Sequence, residues 1–135
     1  APYAWVGQYC VYVSDIDASV KFWETAGLTC TSRTDIPEAY EAILENANGR
    51  GGKIQLAQKK GDDSPIDMGT AVWKLYVHTD ECEQLHRTMV DAGYRETVAP
   101  MHLERWNTWM SFVADPDGYQ VEIVTTPSDR NPAGG

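Results

Sequence analysis

A chain of 135 residues is one domain's worth of sequence, long enough to bury a core without disulfides or metals as staples. Its formal charge of −9 would repel phosphate backbones and anionic membrane surfaces, so neither nucleic acid nor a membrane is an expected partner. No apolar run approaches the ~18 residues of a membrane span, APYAWVGQYC has no basic stretch ahead of an apolar one, and Cys10, Cys30 and Cys82 lack ligand-like spacing; the expectation is reduced thiols in a cytoplasmic protein without a targeting segment.

The first strand ends near Tyr12 and leads into DIDASVKFWETAGL, where Ile16, Val20, Trp23 and Ala26 recur at helical spacing. Asp15 or Asp17 can cap this helix and Gly27 can stop it. A looser stretch, 31–47, supplies middle strands, and NGRGGKIQLA (48–57) reads as a glycine turn followed by an alternating strand. KKGDDSPIDMG (59–69) is polar and turn-rich, a linker. TAVWKLYVHTD (70–80) reads as a strand with a lysine, Lys74, inside an apolar run. The second helix follows, with Cys82, Leu85, Met89 and Ala92 inward, His86 on the polar side, Asp80 and Glu83 as a capping box and Gly93 as the stop. Middle strands from 95–113 and a turn plus strand in DPDGYQVEIV (115–124) complete it, and PSDRNPAGG, from Pro127 on, is expected to be a disordered tail.

The second half repeats the first. Ala26-Gly27-Leu28 aligns with Ala92-Gly93-Tyr94 at an offset of 66, and Gln55 aligns with Glu122 at 67. The expected fold is therefore α+β: two tandem βαβββ modules, about 5–58 and 70–126, forming a cupped mixed sheet with the helices on its convex side. Lys74 becomes the counterpart of Gln8. Strand alternation places Gln8, Cys10, Tyr12, Lys53, Gln55, Lys74, Tyr76, His78, Gln120 and Glu122 on the concave face. With DPDG as the hairpin turn, Glu122 faces Ser111, and Trp109 and Val113 join that face. Trp73, Trp106, Trp109, Tyr76 and Tyr12 could line an aromatic cavity, or serve the core or a dimer interface. His102, in the loop PMHLERW, could act as an acid or base over the cup or simply be solvated.

In their order, YVSDIDASVKFWETAGL, GTAVWKLYVHTD and FVADPDGYQVEIV resemble the vicinal oxygen chelate superfamily, from about Gly7 to Thr125. That group includes glyoxalase I, extradiol dioxygenases, methylmalonyl-CoA epimerase and the bleomycin and fosfomycin resistance proteins. The resemblance implies paired modules, often completed by a second subunit, hence a homodimer here. It also implies a divalent metal held by the places that fall on Gln8, Gln55, Lys74 and Glu122. Lys74 stands where a histidine ligand is expected, and a protonated ammonium has no lone pair. No metal or other cofactor is therefore expected; nickel, zinc, iron or manganese is the alternative. An ion pair between Lys74 and Glu122 is expected, either structural or pointing into a ligand cavity; a solvent-exposed Lys74 is the remaining alternative. Three functions remain: a metal-free pocket protein that sequesters an aromatic or cationic small molecule; a lyase, isomerase or epimerase with Glu122 as proton shuttle and Lys74 as electrophile; and a metal enzyme in which His78 or His102 supplies a ligand.

Overall fold

The computed structural model describes residues 2–130. Asp15 starts the first helix: its backbone is extended (φ −140°, ψ 102°), and its carboxylate accepts the Ala18 N–H at 3.2 Å, one of the donors a helix N-terminus leaves open. The helix, α1 (Ile16–Thr25), buries Ile16, Ser19, Val20, Phe22 and Trp23. Gly27, at φ 101°, ends it in a left-handed stop, with Leu28 N–H donating to the Trp23 carbonyl at 3.0 Å. The second helix, α2 (Cys82–Asp91), closes the same way, with Gly93 at φ 99° and Tyr94 N–H on the Met89 carbonyl at 3.1 Å.

Each helix lies within its own βαβββ module, and the chain divides into two compact units between Ile66 and Asp67. In the first, β1 (Gln8–Tyr12), β2 (Thr29–Asp35), β3 (Ala39–Glu45) and β4 (Lys53–Lys59) form a sheet of order β1-β4-β3-β2. In the second, β5 (Leu75–His78), β6 (Arg95–Leu103), β7 (Thr108–Ala114) and β8 (Gln120–Thr125) take the order β5-β8-β7-β6. The first strand of each module pairs parallel with the last and the other pairings are antiparallel, so both sheets are mixed and the fold is α+β. No helix among the described residues is long and apolar enough to cross a membrane.

The modules also share a cap that local sequence does not reveal. Gln58 Oε1 accepts the Ile16 N–H at 2.8 Å, and Thr125 Oγ1 accepts the Cys82 N–H at 2.9 Å. In α2 this displaces the expected box of Asp80 and Glu83: Glu81 occupies the cap position without a side-chain cap bond, because the neighbouring strand already satisfies the helix terminus. His86 is a second correction. It is buried rather than on the polar side, since α2 packs over Ser111, whose hydroxyl is fully buried and needs a partner; His86 Nδ1 lies 2.8 Å from it. Leu85 is consequently half-buried and Ala92 exposed.

Two further expectations change. The strand in residues 70–80 is confined to Leu75–His78, and Lys74 lies just before it. The β7–β8 hairpin is closed by Asp115 N–H donating to the Tyr119 carbonyl at 3.0 Å, with Gly118 at φ 97° inside the loop. Including Gly118 makes a three-residue loop, and this moves the register by one: Glu122 faces Phe112, not Ser111. Burial pushes the Asp115 carboxyl up to about 6, against the N–H groups of Tyr119 and Asp117 that it accepts. The expected tail is also ordered in its first part. Asp129 is 8% exposed and its carboxylate accepts the Thr126 N–H at 2.8 Å, folding Pro127–Arg130 into a turn; residues 131–135 lie outside the described residues.

Candidate functional site

In the second module, Lys74 Nζ lies 2.5 Å from Glu122 Oε1, and the two side chains are 14% and 8% exposed. The pair is part-buried, with Glu122 the more enclosed partner, rather than a fully exposed surface contact. The ammonium also sits 4.0 Å over the Trp73 ring, 5.0 Å over Tyr76 and 5.4 Å over Phe112, so aromatic faces replace part of its lost hydration. Burial works to lower the Lys74 pKa, but hydrogen bonds with Glu122 and Tyr76, together with the carboxylate's charge, outweigh it and leave the pKa raised. The lysine is therefore a cation, not a nucleophile.

The register change explains which aromatics meet it. Phe112 arrives opposite Glu122, and Tyr76 pairs with Glu122 across β5 and β8. Trp109 goes to the α2 side, with Ser111, and lines a cavity of about 370 Å³ with Asp80, Glu81, Cys82, Thr125 and Arg130. His102 pairs with Trp109, their ring centres 5.2 Å apart, and so shares that side rather than overhanging Glu122. Trp106 is 59% exposed, in a short 3₁₀ turn beneath the Arg105 guanidinium. Of the three tryptophans proposed for an aromatic cavity, only Trp73 touches the charge pair.

The first module holds a chain of amides. Gln8 Nε2 donates to Gln55 Oε1 at 2.7 Å, and Gln55 Nε2 donates to Glu41 Oε2 at 2.5 Å. A carboxylate only accepts, so Glu41 fixes which end of Gln55 turns toward Gln8. Tyr12, 52% exposed, lies on the same face beneath the Lys59 ammonium, 4.5 Å from its ring centre. Cys10, opposite Gln55, has its thiol pushed up by burial and by the charge of Glu41.

Neither pair of positions fits a divalent cation as it stands. The Gln55 oxygen already accepts from Gln8, and Glu122 is neutralised by an ammonium that would repel a metal. Among the described residues no group of three or more His, Cys, Asp and Glu side chains could hold a metal.

Glu41, Phe112 and Asp129 join the residues that the sequence pattern suggests for a site. Glu41 was readable from AYEAILE, where Ala42 and Leu44 alternate inward, whereas Phe112 depended on one loop residue and Asp129 on a contact with His78.

The sequence signature of the Glyoxalase/Bleomycin resistance protein/Dioxygenase superfamily matches residues 5–123. A probable lactoylglutathione lyase of Synechocystis is 23% identical over 125 residues, covering 90% of this chain and 95% of its own. Another probable lactoylglutathione lyase, from Vibrio parahaemolyticus, is 29% identical over 117 residues, 83% of each chain. The crystal structure of glyoxalase I from Zea mays superposes with a TM-score of 0.79 at 23% identity; it covers 88% of this chain, which spans only 43% of the maize chain.

Proposed function

Since the chain belongs to the glyoxalase, bleomycin resistance protein and dioxygenase superfamily, we propose that it binds a small aromatic molecule against β5 and β8, with the Lys74–Glu122 pair standing in place of a metal. The observation that carries this reading is the ion pair at 2.5 Å, flanked by Trp73 and Tyr76, which are 78% and 51% exposed. Rings that open to solvent offer stacking area, and an ammonium at their base offers a fixed cation for a carbonyl or carboxylate oxygen. A panel of aromatic carboxylates and carbonyl compounds should quench tryptophan fluorescence and raise the melting temperature. At ~100 times the dissociation constant the expected stabilisation is about 2.7 kcal/mol. No response across the panel contradicts the reading.

A second reading is favoured by the names of the relatives, two of them probable lactoylglutathione lyases. In it, Lys74 polarises a carbonyl as developing negative charge forms on its oxygen, and Glu122 carries a proton between carbon positions. Turnover of lactoylglutathione, lost on Glu122→Gln, distinguishes this enzyme from a binding protein. A homodimer is also proposed, supported by the exposed apolar series Tyr3, Trp5, Val6 and Tyr9, between 68% and 89% accessible. Sedimentation should show about twice the 15.0 kDa chain mass, and a monomer alone at micromolar concentration contradicts it.

A further inference from the structure

The three histidines differ in what their ring nitrogens are free to do. His86 uses both, Nδ1 at 2.8 Å from Ser111 Oγ and Nε2 at 2.6 Å from Glu96 Oε2, and its side chain is 5% exposed. His102 turns Nε2 to Asn107 Oδ1 at 3.0 Å and lies on the α2 side. His78 has Nδ1 2.9 Å from Asp129 Oδ2, its side chain is 57% exposed, and no described residue occupies Nε2.

Asp129 decides the tautomer. Its Oδ2 also accepts the Thr126 N–H and the Thr126 hydroxyl, both at 2.8 Å. Burial alone would push the carboxyl up, but the hydrogen bonds from Thr126 and His78 outweigh it and hold the carboxyl below the usual range. An ionised carboxylate has no proton to give, so the N–H of a neutral His78 is on Nδ1 and the lone pair on Nε2. The turn that orders Pro127–Arg130 thus presents one base outward. It does so on the side of the sheet that carries Glu122: His78 pairs with Val124, two residues beyond Glu122, and its ring stacks on Tyr76 at 6.4 Å and 28°. Tyr76 is common to both groups: the Lys74 ammonium lies 5.0 Å from the centre of its ring and the His78 ring centre 6.4 Å, so a single aromatic ring over Tyr76 is near each of them.

We infer that His78, held through Nδ1 by Asp129, is the proton-accepting residue of the binding face proposed above, and that the face takes a hydroxyaryl ligand with its ring over Tyr76 and its O–H at Nε2. The inference rests on that functional reading. The step balances without a co-reactant: the ligand's O–H bond breaks, an N–H bond forms at Nε2, and the aryloxide remains beside an imidazolium whose other N–H stays on Asp129. At the opposite end, Lys74 offers its ammonium to an acceptor oxygen on the ring.

4-Nitrophenol is a suitable probe, because its anion absorbs in the visible and its neutral form does not, while tryptophan fluorescence reports occupancy separately. At a pH where the free probe is mostly protonated, binding to the parent should produce the visible band. His78→Asn keeps a side-chain N–H for Asp129 and removes the base. It should therefore melt close to the parent and bind the probe more weakly, the partner of its O–H being gone, and at saturating probe, with occupancy read from tryptophan fluorescence, it should lose the band. A band in both proteins, or in neither despite occupancy, overturns this inference alone; no occupancy by any aromatic compound overturns the functional reading and this with it. Should the variant fail to fold, diethyl pyrocarbonate on the parent decides: His78 should be acylated first, and faster reaction at His86 or His102 contradicts the assignment.

Discussion

Lys74→Met should destabilise the protein by about 2–4 kcal/mol at pH 8, somewhat under the ~3–5 kcal/mol typical of breaking a buried pair, because the lysine keeps 14% exposure. The loss comes mainly from what remains. Glu122, 8% exposed, would hold a negative charge beside three aromatic rings with no cation to balance it. Methionine can still pack on those rings, so contact area is not the issue. The parent's pair persists through this range because the Lys74 pKa is raised. In the variant the unpaired carboxyl favours its protonated form, so folding takes up a proton there, and stability is retained at low pH and lost as pH rises. Urea midpoints should therefore show a larger loss at pH 8 than at pH 5. Adding Glu122→Leu should restore most of the stability, since no unpaired charge is left. Equal losses at both pH values would mean that the carboxylate is not dependent on the lysine.

Trp23→Ala should cost about 3–5 kcal/mol, the range for emptying a large aromatic site in a core. Trp23 is 1% exposed and meets Phe22 edge to face with ring centres 5.1 Å apart. Its indole N–H finds no partner among the described residues. Trp23→Phe should consequently cost much less than its lost volume suggests, because an unsatisfied buried donor disappears with the ring. Chemical denaturation of both variants checks this. A phenylalanine variant as unstable as the alanine one would show that the N–H is satisfied, for instance by a buried water.

What was legible in the chain is what short-range chemistry specifies. Asp15, Gly27 and Gly93 announce helix ends through caps and backbone conformations that need no partner from elsewhere, and repetition of those signals at an offset of 66 made the doubled βαβββ plan readable. The same offset makes Lys74 the counterpart of Gln8 and led to its pairing with Glu122. Details that depend on a single loop residue or a distant contact were not legible. Gly118 alone shifted β7 by one position, bringing Phe112 to Glu122 and sending Trp109 to the other face. His86 reads as polar surface until Ser111, 25 residues away, is placed beneath it. Asp129 sat in a stretch whose composition suggests disorder, and only its bonds to Thr126 and His78 reveal a fixed turn.

Metal binding by the unaltered protein tests the central claim most directly. Isothermal titration of chelator-treated protein with nickel, zinc, iron(II) and manganese ions, paired with elemental analysis of the protein as purified, measures it without reference to any substrate. With an ammonium at Lys74 neutralising Glu122, and Glu41 turning the Gln55 oxygen toward Gln8, the account predicts no stoichiometric uptake of any of the four. Tight binding of about one ion per chain would contradict it, since a metal can enter that donor set only if the lysine gives up its proton or its place.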